Sequence, residues 1–139
     1  MTRIKGRPYL SKEIMDSACQ DLALKYRSHV EVVTTGVAYA AGVCLSTKVG
    51  LLEDDGLFHT GVHTAAHELA HLLGCPHDGD PAPPALPNSP GAESCSGSDG
   101  FLMSSDLTGT TNKNQYHLSP CCQDVIRYVA GMACWNSVF

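Results

Sequence analysis

The residues best suited to chemistry lie together: His67-Glu68-Leu69-Ala70-His71-Leu72-Leu73-Gly74-Cys75-Pro76-His77-Asp78. As a pattern this is H-E-x-x-H-x-x-G-x-x-H-D. On a helix, residues four apart leave the same face one turn apart, so His67 and His71 can share one metal ion. Glu68 falls beside them without being forced to ligate, which suits a general base acting on water at the metal. Gly74 stands where the helix must stop, and a glycine there can take the left-handed conformation that turns the chain back. The reversal returns His77 as a third ligand. Three imidazoles leave a fourth zinc position open to water, the arrangement of a catalytic rather than a structural site.

A bare H-E-x-x-H also occurs on amphipathic helices with surface histidines. The glycine, third histidine and aspartate at fixed spacing argue against that reading here. His63 shares the ligand face, four residues before His67, but three histidines one turn apart spread too far along the axis for one ion. His63 is therefore expected near a cleft mouth or in solvent. His29, His59 and His117 are scattered and read as ordinary surface or core histidines.

The extended motif resembles that of the metzincin zinc endopeptidases, and Asp78 after the last histidine points to the adamalysin (reprolysin) branch. The flanks are similar too. Gly36-Val37-Ala38-Tyr39-Ala40-Ala41-Gly42-Val43-Cys44 looks like the segment before the zinc helix, and Val49-Gly50-Leu51-Leu52-Glu53-Asp54-Asp55 like the next strand and turn. Gly100-Phe101-Leu102-Met103-Ser104 looks like the Met-turn. His67 to His71 followed by Leu72-Leu73-Gly74 is most similar to the secreted tick salivary subgroup. The resemblance covers roughly residues 28–135, and the zinc motif and Met-turn are its specific parts.

The resemblance implies an α/β (α+β) fold. A short twisted mixed β-sheet would be packed by helices, including a long zinc-binding helix, and followed by an irregular C-terminal subdomain with the Met-turn and a last helix. It implies a secreted zinc endopeptidase with one catalytic Zn2+ on His67, His71 and His77 and with Glu68 as general base and acid. Its substrates would be proteins or peptides, in the tick-like reading host haemostatic or matrix proteins. Met103 would form a hydrophobic floor beneath the histidines. Asp78 would do no chemistry, but would hold the Met-turn and motif loop together through hydrogen bonds. The strand from Gly36, Val37, Ala38 and Tyr39 would bind extended substrate by backbone pairing, and Ser104 and Ser105 would begin one wall of the S1′ pocket. For the cysteines the family pattern implies Cys44–Cys134 and Cys95–Cys121. A third pair, Cys75–Cys122, would tie the zinc loop to the last helix and leave Cys19 over.

The elements that must position these residues can be read along the chain. The 139 residues make one domain, with an upper part of about 1–78 and a C-terminal subdomain of about 79–139. Residues 11–27 have a helical pattern, with Ile14, Ala18, Leu22 and Tyr26 on one face. Residues 30–35 are β-branched and strand-like, 37–44 form a second extended run, and 48–53 a third strand. The acidic Glu53-Asp54-Asp55-Gly56 reads as a solvated turn rather than a Ca2+ site. The family's usual calcium site has a counterpart here only in Asn136. The zinc helix spans about Gly61 to Leu73. Five of the eight prolines fall between residues 81 and 90, so 79–99 is a loop, read as a surface insertion anchored by Cys95. Ser119-Pro120 starts a final helix, serine as cap and proline at the first position.

Composition narrows the partners. The net charge is −5, with nine basic residues and no Lys/Arg cluster, which argues against nucleic acid. No apolar run approaches the ~18 residues of a membrane span. Seven cysteines without a C-x-x-C pair suit an oxidising compartment. Met1 to Pro8 lacks an apolar leader core. We therefore expect a secreted monomer whose leader has been removed, or a chain that starts inside a longer one and holds the later part of the catalytic domain. Two other readings stay open. One is a non-enzymatic zinc-stabilised binding module, against which the intact Glu68 speaks. The other is a gluzincin-type peptidase with Glu93 as third ligand, against which the spacing of His77 speaks.

Overall fold

The structure, a computed structural model, describes residues 36–52, 54, 57, 61–105 and 113–132. The helix expected over 11–27 and the strand over 30–35 lie outside these residues, as do Cys19, Cys134 and Asn136.

Strand β1 (Gly36–Ala38) pairs antiparallel with β2 (Gly50–Leu52), with Gly36 opposite Leu52 and Ala38 opposite Gly50. Both strands pack against helix α1 (Gly61–Leu72). The architecture is thus α+β, as the resemblance implies. Among the described residues, however, the sheet is a purely antiparallel pair and not a mixed one.

The extended run expected over 37–44 stops at Ala38. The chain turns at Tyr39 and Ala40, Ala41 takes a left-handed conformation at φ 60°, and Gly42–Cys44 form a short 3-10 turn. Hydrogen bonds account for the change. Ala41 N–H donates to His71 O at 2.8 Å and Gly42 N–H to Tyr39 O at 3.0 Å, so the backbone leaves the sheet to meet α1. The small side chains of Ala40, Ala41 and Gly42 offer little β preference to oppose this.

Helix α1 is rich in alanine and leucine, good helix formers. At its start Asp54 Oδ1 accepts from Gly61 N–H at 2.7 Å, satisfying one of the donors a helix leaves open. It ends in a paired stop: Gly74 N–H donates to His71 O and Cys75 N–H to Ala70 O. Gly74 sits at φ 101°, the left-handed geometry of such a cap.

Helix α2 (Pro120–Ala130) begins on Ser119, whose Oγ accepts from Cys122 N–H at 3.2 Å. It buries Cys121, Cys122, Val125 and Val129. The core joins Cys122, Val125 and Val129 to Ala41, Ala70, Cys75, Leu86, Leu102 and Met103. Leu86 lies in the proline-rich stretch, so 79–99, mostly exposed as expected of a surface loop, also sends a side chain into the core. It has no long helix or strand, yet it seats Leu86 beside Gly74, where an added methyl group would come within 2.7 Å of the leucine. Disulfides Cys75–Cys122 and Cys95–Cys121 fasten both the motif loop and this stretch to α2. Cys44 is also disulfide-bonded, to a partner outside the described residues. Among the described residues no helix is long and apolar enough to cross a membrane.

Candidate metal centre

His67 and His71 leave one face of α1, and the stop at Gly74 lets the chain fold back so that His77 meets them. The ring centroids are 4.7 Å apart for His67 and His71, 4.7 Å for His71 and His77, and 5.2 Å for His67 and His77. One ring nitrogen from each lies within 4.8 Å of the others. His67 Nε2 and His77 Nε2 are 3.3 Å apart. Tetrahedral ligands at the usual Zn–N bond length would lie about 3.3 Å apart, so this pair has the spacing of zinc ligands and the three donors together could hold one ion.

The other ring nitrogens explain why these faces are turned inward. His67 Nδ1–H donates to Leu102 O at 2.7 Å and His71 Nδ1–H to Cys75 O at 2.8 Å. A carbonyl can only accept, so both rings carry their proton on Nδ1 and keep the Nε2 lone pair for a metal. Burial pushes the His71 imidazole down to about 4, with the neighbouring histidines adding to it and the Cys75 carbonyl opposing. Burial lowers His67 as well, against the Leu102 carbonyl. Both rings are therefore neutral at pH 7, the form a metal requires.

Glu68 is buried, 7 % exposed, on the side of α1 that faces β1. A methyl group on Gly36 would come within 2.5 Å of Glu68 Oε1 and 2.7 Å of Thr64 Cγ2. The bare backbone of Gly36 thus makes the room in which the Glu68 carboxylate sits. Val37, Ala38 and Tyr39 follow it, half-buried, along the same strand and its exit.

Asp78 is 5 % exposed and joins three segments. Its N–H donates to Met103 O at 2.9 Å, and its Oδ1 accepts from Ser119 Oγ at 2.5 Å. Ser119 is in turn the cap of α2. Burial raises the Asp78 carboxyl above its ordinary range, partly offset by the Ser119 hydroxyl. Met103 is fully buried in a turn closed by Ser104 N–H to Phe101 O at 2.9 Å. Ser104 is turned inward, 1 % exposed, with its hydroxyl on Gly97 O at 2.7 Å, whereas Ser105 is exposed. Glu93 is exposed, and among the described residues the metal-holding cluster comprises the three histidines alone.

Three contacts escape sequence reasoning. Ser119 was legible as a helix cap but not as the partner of Asp78, 41 residues away. Gly36 at the head of a strand is a signal for close backbone approach, though not for what approaches. His63 donates from Nε2 to Gln115 O at 2.9 Å and so is not in solvent.

Comparison with known proteins agrees with this geometry. Residues 13–117 match the family model described as Metallo-peptidase family M12, of reprolysin type. An antarease-like venom metalloproteinase of Tityus serrulatus is 38 % identical over 112 residues, covering 79 % of this chain and 46 % of the relative. A Bombyx mori protein named as like a disintegrin and metalloproteinase with thrombospondin motifs is 45 % identical over 95 residues, 63 % of this chain and 13 % of its own. A zinc metalloproteinase/disintegrin of Bitis gabonica is 32 % identical over 96 residues, 68 % of this chain and 25 % of its own. The chain therefore spans less than half the length of these curated relatives. The finer likeness to tick salivary enzymes rests on the motif residues alone. With the histidine set, the buried glutamate and these matches together, the chain belongs to metallo-peptidase family M12, in its reprolysin branch.

Proposed function

We propose that the protein is a secreted zinc endopeptidase that hydrolyses peptide bonds in proteins, with residues 1–139 forming one catalytic unit that acts as a monomer. The observation that carries this is the meeting of three imidazoles, His67 and His71 on the helix that also bears Glu68 and held in the metal-binding tautomer by carbonyls, and His77 on the loop that follows it. His67, His71 and His77 would hold the zinc. When bound, zinc polarises water and the scissile carbonyl and stabilises negative charge on oxygen.

The chain's own residues do the rest. Glu68 takes the proton from the attacking water on its carboxylate and passes it to the leaving amine. Its place against Gly36 fixes where that carboxylate can reach. Strand β1 would take an extended peptide by backbone pairing along its edge. The peptide would run past Gly36, Val37, Ala38 and Tyr39, with Ser105 on the opposite wall. Asp78, through Met103 and Ser119, keeps the floor of the site joined to α2. Substrates in the tick-like reading are host haemostatic or matrix proteins.

The test is hydrolysis of a broad quenched peptide library by the oxidised protein, with and without a zinc chelator, beside Glu68→Ala. Cleavage is expected to stop on chelation and to fall about a hundredfold or more in the variant, with zinc content unchanged. Tight zinc binding without cleavage would overturn the proposal in favour of a non-enzymatic zinc module.

A further inference from the structure

His63 lies one turn before His67 on α1, yet its ring is held the opposite way round. The rings of His67 and His71 donate from Nδ1 and keep Nε2 for a metal, whereas His63 donates from Nε2 to Gln115 O at 2.9 Å. Its ring also meets Tyr116 edge-on, with centroids 5.9 Å apart. Gln115 and Tyr116 belong to a short 3-10 turn, Lys113–Tyr116, that is otherwise exposed or half-buried. Directly after it, His117 O accepts from Leu102 N–H at 2.9 Å, and His117 N–H donates to Asn114 O at 2.8 Å. Leu102 is the residue whose carbonyl orients His67.

These bonds close a ring: α1 to the 113–116 turn through His63, the turn to Leu102 through His117, and Leu102 back to α1 through His67. Two histidines one helical turn apart thus clamp the two backbone segments that stand beside the metal cluster. The turn is also tied by Asn114 Nδ2–H, which donates to Asp99 O at 3.0 Å, but His63 is what joins it directly to α1 among the contacts described.

We infer that His63 is a positioning residue that pins the 113–116 turn to the zinc helix, fixing the wall beside His67 and so the side chains a substrate can present there. Tyr116, 71 % exposed, stands at the rim of that wall as an aromatic surface for an apolar substrate side chain. The consequence for cleavage rests on the peptidase reading. The clamp itself does not.

The experiment compares wild type, His63→Phe, His63→Gln and Tyr116→Ala as oxidised, zinc-loaded proteins. Phenylalanine keeps a ring but loses the donor, and the glutamine amide can still donate to Gln115 O. Amide exchange at Leu102 and His117 is expected to quicken about fivefold in His63→Phe, the factor for one lost hydrogen bond, and to return toward wild type in His63→Gln. With the best peptide from the quenched library, KM is expected to rise about fivefold in His63→Phe with kcat little changed, and the side-chain preference to broaden. Zinc content should stay at wild-type level. Tyr116→Ala, a change at an exposed site that leaves folding intact, is expected to shift the preference in the same direction by less. If His63→Phe does not fold, unchanged preference in Tyr116→Ala would overturn the inference. So would unchanged exchange in a folded His63→Phe, or loss of zinc from either His63 variant. Should no peptide be cleaved by any form, the exchange comparison still decides on the clamp, and only the peptidase reading fails.

Discussion

The two helices are of similar length and are held in opposite ways. Helix α2 carries its own supports: Ser119 caps it, Pro120 opens it, and Val125 and Val129 are buried with two cysteines of its first turn. Helix α1 buries only Gly61, Glu68 and Ala70, and leaves Val62 and Leu69 exposed at 72 % and 55 %. Its hold comes from outside, through carbonyls of Leu102, Cys75 and Gln115 on its histidines and through Ala41 N–H on its last turn. A helix that must offer polar side chains to a metal cannot also spend that face on apolar packing. Apolar burial is thus concentrated in α2, while α1 carries Glu68 and two of the three clustered histidines, and Gly74, Cys75 and Asp78 lie between them.

That division can be broken most severely at its joint. Gly74→Ala would force a side chain into a left-handed position and against Leu86 and Val129. We expect a loss of about 2–4 kcal/mol in unfolding free energy, from backbone strain together with overpacking. Chemical denaturation of the oxidised protein measures it, and a loss below about 1 kcal/mol would show that the joint is soft.

Ser119→Ala removes the α2 cap and the Asp78 partner in one step. The expected cost is about 1–2 kcal/mol. The comparison is sharpened by following His77 in the same variant. If α2 anchors the motif loop through Asp78, zinc affinity should weaken along with stability. Lost stability with unchanged zinc affinity would confine Ser119 to capping.

The gentlest probe is pH. In the chelated protein the folded-state values of His67 and His71 lie below the ordinary 6.5. The unfolded chain then binds more protons, so stability should fall as pH drops from about 6.5 toward about 4, where His71 titrates. Asp78 works the other way, because burial favours its protonated form. Denaturation midpoints of the chelated protein at pH 7 and pH 5 test the sign. His71→Gln should flatten the profile, and an equally steep one would sink the assignment.

The sequence showed most where local rules decide structure. The extent of α1 followed from alanine, leucine and the stop at Gly74, and the start of α2 from Ser119-Pro120. It showed least where distant segments decide. Ala40, Ala41 and Gly42 are too small to declare a conformation, and it is the His71 carbonyl that draws Ala41 out of the strand. Prolines between residues 81 and 90 announce a loop, but nothing periodic announces that Leu86 enters the core. The direction of a histidine ring is likewise set by whichever carbonyl lies opposite, and for His63 that carbonyl is 52 residues away.

Cys121 and Cys122 are neighbours in the chain and lead to different partners, Cys95 and Cys75. Exchanging the two partners would alter each closed loop by a single residue, a change too small for chain entropy to notice. An unstructured chain thus has no means of telling right from wrong pairing here. The first turn of α2 supplies it, because successive residues on a helix point about 100° apart and each thiol then faces only one loop. The formed turn therefore selects the native pairing, and thiol–disulfide exchange lets a mispaired chain reach it.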